Sequence, residues 1–137
     1  MHPRQLLLTV ASLIPVAIGS LALLAPAVLL VDLKGAETSP AAETMARTAG
    51  VLLVSVGVVS FLARRAEDSP ALRAILAGNL VLQLMIVPID PLAWLSGAFH
   101  GLGSFVPNTV LHVVLALAFG HALWRLRGDQ TKNVVTK

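Results

Sequence analysis

The sequence predicts an all-α fold, an antiparallel up-down-up-down bundle of four transmembrane helices. Three observations predict it. Hydrophobic residues make up 56% of the 137-residue chain and charged residues 12%, where an ordinary soluble domain has roughly a quarter charged. The charges stand between long apolar runs rather than inside them. Lys and Arg also alternate between crowded and sparse connections, as antiparallel spans require.

Ten Lys and Arg with seven Asp and Glu are too few to cover a soluble surface, so lipid is the expected solvent. The mean hydropathy of +0.83 agrees. The absence of cysteine excludes disulfides, thiolate chemistry and cysteine-held metals or clusters. A pI near 10.2 raises nucleic acid as a partner. The basic residues flank apolar segments instead, and a chain without tyrosine offers no platform for stacking bases. Membrane lipids and other integral membrane proteins are the expected partners.

The first span is expected over about 6–31, an uncharged run from Leu6 to Val31. Crossing the hydrocarbon core takes ~20 residues. Pro15 is expected to kink this helix, and Pro26 to mark its outer end. A secretory signal is the rival reading, with Arg4 as its basic start and Ala25-Pro26-Ala27 as its cleavage site. The run is long for that role, so a retained span is expected.

A polar connection follows, with Asp32, Lys34, Gly35, Glu37 and Pro40. The second span, about 45–63, carries Arg47 at its outer end and stops at Arg64-Arg65. In the next turn Ser69 reads as the N-cap of a helix whose first residue is Pro70. The third span, about 71–89, ends at the Pro88-Ile89-Asp90-Pro91 breaker.

Pro91 to Trp124 has no formal charge but is too long for one helix. Gly97, Gly101, Gly103 and Pro107 divide it. Leu92 to Phe99 is expected to lie at the interface or to re-enter the membrane, with Trp94 at headgroup level. The fourth span is expected over about 105–123, anchored by Trp124 beside Arg125 and Arg127. Residues 1–127 thus form one membrane domain, and 128–137 a polar tail expected to fray.

Eight of the basic residues, Arg4, Arg64, Arg65, Arg73, Arg125, Arg127, Lys132 and Lys137, fall in the terminal segments and the second connection; only Lys34 and Arg47 fall in the other two. The positive-inside rule then places both termini in the cytoplasm. The expected location is a bacterial inner membrane.

Helices in lipid associate through close backbone approach and a few polar contacts. Small residues form stripes at Ala46, Gly50, Gly57 and Ser60, at Ala74 and Gly78, and at Ala116 and Gly120. Packing inside the bundle is the plainer expectation for each stripe; the alternative is that one of them faces a partner protein.

Polar residues within spans are the best functional pointers. No carboxylate or lysine is expected deep in a span, and the serines Ser12, Ser20, Ser55 and Ser60 lack a catalytic setting. No enzyme is therefore expected. What stands out is Asn79 and Gln83 on one face of the third helix, and His112, with Asn108 one turn away, in the fourth. Counting ~1.5 Å per residue puts Gln83 and His112 at similar depth. The plainer expectation is interhelical hydrogen bonding, with a neutral His112 on Gln83 or a carbonyl. The sharper one is a ligand site in which His112 meets a haem, quinone or pigment. A bis-histidine haem would need a distorted pairing of His100 with His112. His121 lies about half a revolution from His112 and is expected to meet headgroups. Asp32, Glu37, Glu43, Asp90 and His100 could meet at the outer mouth, but not in a metal-ligand pattern; solvated loop charges are expected.

The Leu24-Ala25-Pro26-Ala27 end of the first helix, the Leu62-Ala63-Arg64-Arg65 end of the second and the Leu111-to-Phe119 run of the fourth resemble a broad group of small bacterial membrane proteins with four helices. The resemblance implies a four-helix bundle and brings no activity with it. The leading expectation is a non-catalytic accessory or scaffold subunit of a larger respiratory or photosynthetic membrane complex. The alternatives are a binding protein for a lipid, quinone or pigment, and an oligomeric small-molecule transporter.

Overall fold

The computed structural model describes the backbone of residues 3–135 and the side chains of residues 3–126. The chain runs as α1 (Pro3–Leu24), a wide π-type turn (Val28–Leu33), α2 (Pro40–Ala63), α3 (Pro70–Ile86), α4 (Ile89–Leu95), a short 3₁₀ turn (Leu102–Ser104) and α5 (Val106–Val135). Four stretches are long and apolar enough to cross a membrane: Pro3–Leu24, Pro40–Ala63, Pro70–Leu95 and Leu102–Leu126. The four-helix bundle predicted from composition and periodicity is therefore the observed fold.

Helix ends follow from local chemistry. α1 stops at Leu24, short of Val31, because Pro26 has no N–H and disfavours helix in the residue before it. The chain continues through the wide turn, where Lys34 N–H bonds the Leu29 carbonyl at 3.2 Å. Gly35 then reverses it at φ +61°, a conformation that costs glycine little.

α2 begins at Pro40, earlier than the apolar run suggests. Ser39 Oγ accepts the Ala42 N–H at 3.2 Å, and Pro40 sits in the first turn, where its missing N–H costs nothing. The same device opens α3 as expected: Ser69 Oγ accepts the Leu72 N–H at 3.2 Å. Helix α4 starts at Ile89, before the expected Leu92. α5 shows no break at Gly128 and runs on to Val135, so the expected frayed tail continues the helix.

α1 lies along α2, and α3 along α5. The first contact is backbone on backbone. A methyl group on Gly19 would sit 2.7 Å from the Gly50 carbonyl oxygen, and one on Gly50 2.6 Å from that of Gly19. A methyl on Gly57 would sit 2.8 Å from the Ser12 carbonyl oxygen. The expected α2 stripe thus packs inside the bundle through Gly50, Gly57 and Ser60.

The stripes in α3 and α5 do not pack this way. Nothing lies within 4 Å of where a methyl on Gly78 or Gly120 would be. Larger side chains hold these helices instead. Leu72, Leu76, Leu115 and Phe119 join Leu8, Ala11 and Ala63 in one apolar cluster at the end of the bundle that carries both termini.

The structure is therefore two helical hairpins fused at one end. Between the hairpins contact is lighter, α1 with α5 and α2 with α3. A cleft of about 490 Å³ opens on the first side and one of about 420 Å³ on the second.

Candidate functional site

The polar side chains inside the bundle form a column that starts at the mouth opposite the two termini. Lys34, in the turn after α1, pairs with Asp90 in the first turn of α4. Asp90 is 6% exposed. Its Oδ2 accepts from Lys34 Nζ and also from Asn108 Nδ2, the latter at 2.7 Å. Lys34 Nζ stands 5.2 Å from the centre of the Phe99 ring, and the chain carrying it is seated against the His100 backbone at Gly35. Trp94 stacks on Phe105 beside this mouth, ring centres 5.3 Å apart.

Asp90 was expected as a solvated loop charge, and this expectation is corrected. An isolated carboxylate in so dry a place would lose several kcal/mol of hydration. The lysine and the amide of Asn108 offset that loss. Asp32, Glu37, Glu43, Asp90 and His100 do not gather: among the described residues no three His, Asp or Glu cluster. Asp32 and Glu37 are exposed, and Glu43 pairs with Arg47 one turn on.

One turn below Asn108 on α5, His112 Nδ1 is hydrogen-bonded to Gln83 Oε1 of α3. With Oε1 as acceptor, Nδ1–H is the donor and Nε2 the remaining ring nitrogen. One turn further along α3, Asn79 Nδ2 donates to the Ile75 carbonyl at 2.9 Å and to Ser60 Oγ of α2 at 3.2 Å. Asn79 and Gln83 are both buried, on the one face their spacing predicts.

The sequence thus placed Asn79, Gln83 and His112 in the interior and matched Gln83 to His112. It did not anticipate that Asn108 would turn to Asp90 rather than share the bond of its neighbour His112. Lys34 was missed altogether, since nothing in its own loop points to a buried partner. His121 faces away from His112, into the cleft between α1 and α5, with its ring 5.8 Å from that of Trp124. His100 is exposed in the connection between α4 and α5. His2 lies outside the described residues.

Two serine hydroxyls bond within their own helices, whereas the Thr109 hydroxyl on α5 is buried with no hydrogen-bond partner. Ser12 Oγ donates to the Thr9 carbonyl at 2.7 Å and Ser55 Oγ to the Val51 carbonyl at 2.8 Å. The column chiefly ties elements together. Ser60–Asn79 bridges the two hairpins near the apolar cluster, Lys34–Asp90 bridges them at the mouth, and His112–Gln83 locks α5 to α3.

The other end of the bundle is basic. Arg73 holds Asp68 through both carboxylate oxygens, at 2.8 and 2.5 Å. The hydrogen bonds from Arg73 hold the Asp68 carboxyl below its ordinary value of 3.8, against the opposing effect of burial; the charges of Arg73 and Arg4 add to the lowering. Arg4 reaches from the first turn of α1 to the Ala66 carbonyl at 2.8 Å.

Compared with known protein families, curated proteins and solved structures, the chain matches none. Its class is set by its own features: a bundle of four helices of membrane-spanning length and apolarity, braced by an internal polar column.

Proposed function

We propose that this chain is a non-catalytic accessory or scaffold subunit of a larger bacterial inner-membrane complex, respiratory or photosynthetic in kind, with both termini in the cytoplasm. The observation that carries this reading is the cleft between α2 and α3. Val56, Val59, Ile75 and Leu82 line it with apolar surface, and Ser55 and Gly78 keep it shallow. Gly78 has open space where a side chain would go.

Small residues let helices approach closely where lipid offers no hydrophobic drive. This chain uses the same device between α1 and α2, where Gly19 meets Gly50. The cleft presents such a surface outward, shaped to receive a helix of another membrane protein. The pairing of the interior polar groups with one another fits a bracing role.

The test is purification of the chain from native membranes in mild detergent, with mass spectrometry and a visible spectrum of the same sample. Stoichiometric co-purification of one or more integral membrane proteins is expected. A chain that elutes alone and monodisperse would contradict the reading.

A second reading is favoured by the His112–Gln83 bond. A ring held through Nδ1 is oriented as ligand histidines commonly are. In this reading the chain binds a quinone, pigment or lipid around Gln83, His112, Asn79 and Asn108. An absorbing molecule that co-purifies with wild type and is lost in His112→Ala would support it.

A further inference from the structure

We infer that the cleft between α1 and α5, at the end of the bundle that carries both termini, binds one anionic phospholipid. Its phosphate lies on Arg4 and Arg125, and an acyl chain lies along Leu7, Ala118 and Ala122. The inference is independent of the partner cleft on the opposite side of the molecule.

The cleft has the two halves such a ligand needs. Arg4 comes from the first turn of α1, and Arg125 from α5 just beyond Trp124; both line the same space of about 490 Å³. The wall between them is leucine and alanine, with His121 at its edge. No acidic side chain lines the cleft among the described residues. Both walls are membrane-spanning helices, so a cleft between them opens sideways to acyl chains, while its basic residues stand at the span ends, where headgroups lie. The exposed Trp124 ring suits that same level.

Arg4 is held ready for the role. Its bond to the Ala66 carbonyl, at 2.8 Å, keeps the guanidinium at the protein instead of letting it swing into water. Its Nε is enclosed by the protein without a hydrogen-bond partner, so contact with a phosphate falls to the terminal N–H groups that the Ala66 carbonyl does not take. Asp68, which also senses the charge of Arg4, is already gripped by Arg73 through both oxygens. A guanidinium presents a planar fork that matches phosphate oxygens, and basic pockets between spans are the usual form of an anionic lipid site. A soluble anion would leave the apolar wall unused.

The experiment is native mass spectrometry of the full-length protein in detergent. It is titrated with phosphatidylglycerol or with phosphatidylcholine of the same acyl chains. One phosphatidylglycerol is expected to bind roughly 30-fold more tightly than phosphatidylcholine, as about one kcal/mol per basic group near a membrane surface implies for two arginines. That preference is expected to vanish in Arg4→Gln/Arg125→Gln and to persist in Arg64→Gln/Arg65→Gln. Ala122→Phe, which fills the cleft and keeps both charges, is expected to exclude the lipid too. This variant serves if the double arginine variant loses its helical circular dichroism. Equal binding of the two lipids, an undiminished preference in Ala122→Phe, or displacement of the lipid by millimolar inorganic phosphate would overturn the inference.

Discussion

Lys34 and Asp90 meet at the mouth of the bundle opposite the two termini, with side chains only 18% and 9% exposed, and the pair ties the turn after α1 to the start of α4. The two hairpins share their apolar cluster at the opposite end, so this ion pair is what closes the mouth. Removing one partner of a buried pair leaves the other charge dry and unpaired, which costs about 3–5 kcal/mol at a fully buried site. The partial exposure of Lys34 lowers that to roughly 2–3 kcal/mol here. Lys34→Met and Asp90→Leu are each expected to lower the unfolding midpoint in detergent. The double substitution is expected to cost less than the sum of the two, since it leaves no orphan charge.

The glycines divide into two groups by what surrounds them. Gly19→Ala and Gly50→Ala would each drive a methyl into a carbonyl oxygen less than 3 Å away. Overpacking of this kind costs about 1–3 kcal/mol. Gly78→Ala and Gly120→Ala meet open space and gain helix propensity worth up to about 1 kcal/mol. Thermal unfolding of the four purified variants should place the first pair below wild type and the second pair at or above it.

The bridge between Ser60 and Asn79 joins α2 to α3 beside the partner cleft. Interhelical hydrogen bonds in membranes are worth about 0.6 kcal/mol on average and up to about 1.7. A double-mutant cycle of Ser60→Ala and Asn79→Leu is expected to give a coupling in that range. The same cycle on Gln83→Leu and His112→Phe is expected to give a similar value. Zero coupling in both cycles would mean that the polar column is not a brace.

Acid should loosen the basic end of the bundle. The Asp68 carboxyl titrates lower in the folded chain than its ordinary 3.8, so its pairing with Arg73 stabilises the fold fully above that ordinary value. The contribution fades as pH falls toward the depressed folded value. Wild type is expected to lose more stability between neutral pH and pH 3 than Asp68→Asn, and the two should converge at the acid end. Unfolding midpoints across that range check the sign.

Much of this was legible because membranes impose simple rules. The four spans follow from uncharged length, and the interior face of α3 from the spacing of Asn79 and Gln83. The partnership of Gln83 with His112 follows from equal depth. The Ser69-Pro70 start of α3 was readable as a cap. The identical Ser39-Pro40 start of α2 was not, because Glu43 and Thr44 dilute the apolar run behind it. The Lys34–Asp90 pair joins residues from two different connections, and no local pattern encodes which loop charges become buried together. The small-residue pairs of α3 and α5 share their spacing with the stripe in α2. Only the three-dimensional packing shows that Gly50 and Gly57 face α1 while Gly78 faces outward.

If the chain is a subunit of a larger complex, the cleft between α2 and α3 holds a helix of another protein. A photo-activated cross-linking residue placed at Gly78 and irradiated in native membranes tests this directly. The same residue at the exposed positions Leu13 on α1 and Leu117 on α5 serves as control. The account predicts one discrete adduct with a single integral membrane protein from position 78, and none of that size from positions 13 or 117. Adducts with lipid alone from position 78, or the same protein adduct from all three positions, would contradict it.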